Sequence, residues 1–165
     1  MTSLPGSYAL ILCAFVHGSV RIGRIGYLTV IPGFYVYVGS AFGSGGVCAR
    51  IAHHARITRR PHWHIDYLRR STTLEESWYT NDPCSREHQW ADVFRHSPGA
   101  SEPLDGFGSS DCRCRCHLFR FAGKPSLRSF RRRLALAAPE QGAIEVMRCD
   151  NRQEPMGIRP IVSGK

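Results

Sequence analysis

Tyr8 and Tyr37 each stand near a glycine in an apolar run, as Gly6-Ser7-Tyr8 and Tyr37-Val38-Gly39. Arg50 and His54 follow one helical turn apart, so a helix there would point both from one face. Glu87 comes after the turn and helix-start signal Asn81-Asp82-Pro83. Such side chains have the chemistry that phosphodiester hydrolysis needs. A carboxylate can hold Mg²⁺ or Mn²⁺, a Lewis acid for the leaving oxygen. A guanidinium can neutralise non-bridging phosphate oxygens. A phenol can act on a water molecule once a basic site lowers its pKa from about 10, and an imidazole titrates closer to neutrality. Singly, each residue has a plainer reading. Strand tyrosines pack, a helical arginine faces solvent, and a glutamate near a helix start complements the dipole.

A second group is Cys112, Cys114 and Cys116 with His117. Structural zinc takes paired ligands drawn from two places, whereas a strand here would put the three thiols on one face and His117 on the other. One reading joins Cys112, Cys114 and His117 to an outside ligand such as Cys84. Another makes the segment a polar lining, or a turn held by Asp111. His64 and Asp66 form a further pair, with Asp66 placed to orient a histidine or to hold Arg50.

Elements that could position these residues are readable in outline. Strands are expected over 8–15 and 34–40, with a small hairpin from 20–23 and 27–31 between them. The glycine-rich stretch 43–46 leads to a helix over 47–55, and a short helix is expected over 64–70. A strand over 72–79, a helix over 86–95, strand-like alternation towards Phe121 and a basic helix over 126–138 complete the reading. The expected fold class is α/β (α+β): a small, mainly antiparallel central sheet flanked by helices, with Tyr8 and Tyr37 on adjacent central strands. The folded domain is expected to span 1–138, and residues 139–165, polar with Gly and Pro, to form a poorly ordered tail.

The chain has 165 residues, 42% of them hydrophobic, enough for one domain with a core. No apolar run is long enough to expect a transmembrane helix, and the short run over 8–16 reads as a buried strand rather than a signal peptide. A net charge of +9, mostly from arginine, favours a polyanionic partner. Seven cysteines read as reduced thiols in a cytoplasmic protein.

The order of these residues resembles the GIY-YIG nuclease superfamily. The runs Tyr35-Val36-Tyr37-Val38-Gly39-Ser40-Ala41, Arg50 with His54, Trp63-His64-Ile65-Asp66-Tyr67-Leu68, Glu87-His88-Gln89-Trp90-Ala91 and Gly106-Phe107-Gly108-Ser109-Ser110-Asp111-Cys112, with Cys114, His117 and Leu118, look like one uncharacterised branch. That branch occurs alone or fused to endonuclease III. The resemblance implies a metal-dependent endonuclease acting on DNA. Tyr8, Tyr37, Arg50, His54 and Glu87 would be catalytic, with Tyr37 the hydrogen-bonding partner of Tyr8. Glu87 would hold Mg²⁺ or Mn²⁺, and Gly39, Ser40, His64, Asp66, Asp111 and His117 would line the substrate site. Ser7 and Val38 stand where the superfamily motif has isoleucine, and Ser7 is expected hardly to touch the chemistry. A non-catalytic nucleic-acid-binding module and a zinc-binding interaction domain are the alternatives. No protein partner is evident.

Overall fold

The computed structural model describes residues 4–149. Strand β1 (Gly6–Ala14) is buried along its whole length. Its near-continuous apolar run fits a strand covered on both faces. It pairs antiparallel with β4 (Gly33–Ala41) on one side and β5 (Thr73–Thr80) on the other. Strand β6 (Leu118–Phe121) extends the sheet beyond β4, and β7 (Glu145–Arg148) beyond β5, giving the order β6-β4-β1-β5-β7. Every pairing is antiparallel. Strands β2 (Gly18–Ile22) and β3 (Gly26–Val30) form a separate hairpin. The α/β class expected from the sequence, an antiparallel sheet with flanking helices, is the observed one.

Alternation along the strands sends two sets of side chains to opposite faces. Tyr8, Leu10, Leu12, Tyr35 and Tyr37 share a core with Val47 and Ile51 of helix α1 (Gly46–Ala55), Ile65 and Leu68 of α2 (His64–Leu68), and Leu28 of the hairpin. Ala9, Ile11, Val36, Val38 and Trp78 face the other way. They meet Trp90 and Phe94 of α3 (Glu87–Arg95) and Phe130 and Leu134 of α4 (Leu127–Ala137). Phe94 and Phe130 stack with centroids 4.5 Å apart. The basic helix α4 therefore packs on the face away from Tyr8 and Tyr37.

Three expectations are corrected. The helix expected over 64–70 stops at Leu68 and tightens into a 3-10 turn, Arg69–Ser71. Residues 105–117 form turns instead of a strand, and the ladder begins only at Leu118. Residues 139–149 belong to the folded unit. Gln141 accepts a bond from the Trp90 indole, Glu140 pairs with Arg86, and β7 adds to the sheet edge. The rest of the expected tail, 150–165, lies outside the described residues. Among those described, no helix is long and apolar enough to cross a membrane.

Candidate active site

Register explains why glycine must accompany tyrosine. Tyr8 on β1 pairs directly with Gly39 on β4. A Cβ at Gly39 would lie 2.6 Å from the Tyr8 hydroxyl, so only glycine leaves room for the phenol there. Tyr37, two residues earlier on the same face, sits against Gly108, whose φ of +71° suits glycine and where a Cβ would come 2.7 Å from the Tyr37 ring. Tyr8, Tyr37, Gly39, Ser40, Arg50, His64, Glu87 and Asp111 all line one cleft of about 340 Å³. His62, Trp63, Gly108 and Ser110 complete its walls.

Behind the cleft runs a chain of three polar groups. The Tyr8 hydroxyl lies 3.0 Å from His54 Nε2, and His54 Nδ1 lies 3.3 Å from Asp66 Oδ1. His54 is fully buried and Asp66 nearly so. Burial pushes the His54 pKa down, against the pull of Asp66, which favours a neutral ring. With Nδ1–H donated to the carboxylate, Nε2 is left to accept from the phenol. Burial also works against the Asp66 carboxylate. Bonds from His54 and from the His62 and Trp63 backbone N–H groups outweigh it and hold Asp66 well below the usual carboxylate range. Asp66 thus orients His54 and does not hold Arg50. His53 also approaches Asp66, at 3.3 Å. The trio of His53, His54 and Asp66 could ligate a metal by proximity, but His54 and Asp66 already have partners in this relay.

The structure corrects two expectations for the tyrosines. Tyr37 is not the hydrogen-bonding partner of Tyr8. Their rings are tilted, with centroids 6.4 Å apart, and His54 takes the Tyr8 hydroxyl. The Tyr8 pKa is also raised, not lowered. Burial pushes it above its ordinary value, and Arg50 only partly offsets this. Tyr37 is raised as well, chiefly by burial and then by Tyr8.

Arg50 stacks over the Trp63 ring with 4.4 Å to the centroid, and its guanidinium reaches the Ser40 carbonyl at 3.5 Å. Nothing in the sequence marks Trp63 for this contact. Its position between His62 and His64 gives no periodic signal that it would brace Arg50.

Glu87, the first residue of α3, comes to the cleft because β1 and β4 fasten the helix start. Ser7 Oγ accepts the Arg86 backbone N–H at 2.8 Å, and Ser40 Oγ donates to Glu87 Oε2 at 2.7 Å. Ser7 and Ser40 are register partners. Ser7 therefore helps to hold the start of α3, and with it Glu87, at the cleft. His117 Nδ1 lies 2.9 Å from Glu87 Oε1. Burial raises the Glu87 pKa, but His117 and Ser40 outweigh it, so the carboxyl stays below its ordinary value. Glu87 and Asp111 both line the cleft, and carboxylate oxygens are donors that a hard divalent cation such as Mg²⁺ accepts.

His64 Nδ1 accepts the Gly108 N–H at 2.9 Å, fixing the 105–117 turns against α2. The thiol group also differs from the sequence expectation. Cys116 turns into the core, bonded to Leu104 and Leu118. Cys112, Cys114 and His117 cluster instead with His88 of α3, and Cys84 is not among them. The Cys114 thiol is pushed up to about 11 by burial and then by Cys112 beside it.

No curated protein and no solved structure matches the chain. A family model described as Domain of unknown function DUF123 matches residues 7–138, a span that includes every residue of the cleft. By that match the chain belongs to the DUF123 family.

Proposed function

We propose that the protein is a metal-dependent endonuclease of GIY-YIG character that hydrolyses phosphodiester bonds in DNA. One observation carries the reading. Tyr8 from β1, Tyr37 from β4, Arg50 from α1 and Glu87 from α3 line a single cleft, and a Tyr8–His54–Asp66 relay stands behind it. Strand phenols usually pack without such a neighbour, and a neutral histidine oriented by a carboxylate is the arrangement of a general base.

Arg50, held rigid on Trp63, neutralises the non-bridging oxygens of the bound phosphate. Tyr8 is protonated at rest. It accepts a proton from the attacking water as its own passes to His54 Nε2, while Asp66 keeps His54 in the receiving tautomer and stabilises the charge that develops. The phenol therefore needs no standing phenolate, which suits its raised pKa. Tyr37 and the Gly39 backbone shape the wall on which the phosphate rests. Mg²⁺ or Mn²⁺ held at Glu87 would supply Lewis-acid stabilisation of the leaving oxygen. The net charge of +9 supports a polyanionic substrate, and seven free thiols support a reducing compartment such as the cytoplasm.

The test is nicking of supercoiled plasmid with and without Mg²⁺. Cutting should require the ion and fall by about 10²–10³ in Glu87→Gln, the scale of losing a charge-stabilising group. Salt-sensitive DNA binding by folded wild type with no nicking would overturn the hydrolase and leave a binding module.

A further inference from the structure

We infer that His88, Cys112, Cys114 and His117 form a structural zinc site, and that this site clamps the start of α3 to the 105–117 turns. The inference rests on a different cluster from the hydrolytic reading and stands or falls apart from it.

The ligand chemistry is the first ground. Two thiols and two imidazoles present one ligand atom each, all within 4.8 Å of one another. Cys112 Sγ is 3.6 Å from His117 Nε2, and Cys114 Sγ is 3.0 Å from His88 Nδ1. Tetrahedral zinc, with bonds of about 2.3 Å to sulfur and 2.0–2.1 Å to nitrogen, sets neighbouring S and N ligands about 3.5 Å apart. The observed separations bracket that value. Two soft and two borderline donors in a closed set select zinc over the oxygen-seeking ion expected at Glu87.

The surroundings are the second ground. Residues 105–117 form turns without a helix or strand of their own, yet they carry the wall of the cleft at Gly108, Ser110 and Asp111. A long irregular segment in a compact domain is uncommon, and a metal link to a helix would add a fastening to the bonds that already hold this one. His88 supplies it from a rigid helix, so the ligands come from two places, as structural zinc sites require.

His117 gives the third ground. Nε2 points to the thiols while Nδ1 lies 2.9 Å from Glu87 Oε1. A ligating histidine almost always gives its other ring nitrogen to a carboxylate or carbonyl, and Glu87 stands within reach of that role although Nδ1 is not aligned on it as a hydrogen bond. Glu87 is thus bracketed by the site, with His88 next to it in sequence and His117 in contact. We assign the zinc a positioning role for Glu87, and none in the reaction.

Metal content of reduced, full-length protein purified without added metal tests this directly. About one zinc per chain is expected. Co²⁺ in place of zinc should give thiolate-to-cobalt bands in the near ultraviolet and intense visible bands of a tetrahedral centre. His88→Ala and Cys114→Ser should lose the zinc, while Cys84→Ser, an exposed thiol outside the cluster, should keep it. Glu87→Gln should weaken zinc against a competing chelator by about 10–100-fold, the scale for a group that orients a metal ligand. Folded wild type that retains no zinc and gives no thiolate-to-cobalt bands overturns the site, whether or not the variants fold. Full zinc in both His88→Ala and Cys114→Ser overturns the ligand assignment, and unchanged zinc affinity in Glu87→Gln overturns the link to Glu87. None of these readouts involves DNA, so they separate from failure of the hydrolytic reading.

Discussion

The same strands bury different chemistry on their two faces. Towards α3 and α4 the sheet presents Ile11, Val36, Val38, Trp78 and Phe119 to Trp90, Phe94 and Phe130, an aromatic core with rings stacked or edge-on. Towards α1 and α2 the core contains Tyr8 and Tyr37, and His54 and Asp66 are buried beside them. Burying a carboxylate and an imidazole costs free energy that burying phenylalanine does not, unless each is hydrogen-bonded. The relay meets that cost only by satisfying Asp66 with two backbone N–H groups as well as His54. One face is arranged for cohesion, and the other keeps polar groups oriented at the edge of an open cleft.

The contrast is open to measurement, and the largest effect should come from the aromatic face. Phe94→Ala should cost about 3–5 kcal/mol of unfolding free energy by denaturant titration, because the ring touches Trp78, Phe119, Phe121 and Phe130 and its removal leaves a cavity. Arg50→Ala should instead leave stability within about 1 kcal/mol, since the side chain stacks at the cleft wall. Its plasmid-nicking rate should fall by about 10²–10³. If stability fell as far as in Phe94→Ala, the division between the faces would be wrong.

Gly39→Ala should affect both quantities at once. The added methyl would press on the Tyr8 hydroxyl, and the overpacking should cost about 1–3 kcal/mol while displacing the phenol from His54. Wild-type stability with unchanged nicking would show that the motif glycine has another purpose.

The smallest effect is a pH dependence. Burial lowers the folded-state pKa of His54, so between that value and the unfolded value of about 6.5 the unfolded chain binds more protons. This contribution is complete above about pH 6.5 and is lost as the pH falls through the window below. His54→Gln should flatten that part of the stability curve. Asp66 acts at lower pH. Its folded value lies below the unfolded one of about 3.9, so its stabilisation holds above that pH and is lost as acid titrates the folded carboxyl. Asp66→Asn should remove this acid limb.

Much of the fold could be read because strong patterns are local. The apolar runs of β1 and β4 and the helical spacing of Val47 and Ile51 gave the right elements near the right places. Strand β7 could not be read this way. Glu145–Arg148 is mostly exposed and has no apolar stripe, and it becomes a strand because β5 offers an open edge. The alternating cysteines misled for a related reason. A period of two in residue type is not a strand when residues 110–117 run through turns and bends and the segment bonds back on itself, Gly106 N–H to the Arg115 carbonyl and His117 N–H to the Phe107 carbonyl.

The sequence by itself determined which groups were available: two phenols beside glycines, a guanidinium and an imidazole one turn apart, and an acidic residue at a later helix start. Tertiary structure decided their partners. It gave Tyr8 to His54 rather than to Tyr37, gave Asp66 to His54 rather than to Arg50, set Trp63 under Arg50, and brought His88 rather than Cys84 to the thiols. The physical reason is range. Periodicity and turn chemistry act over a few neighbours, whereas these pairings join residues 12 to 46 positions apart through strand register and helix docking.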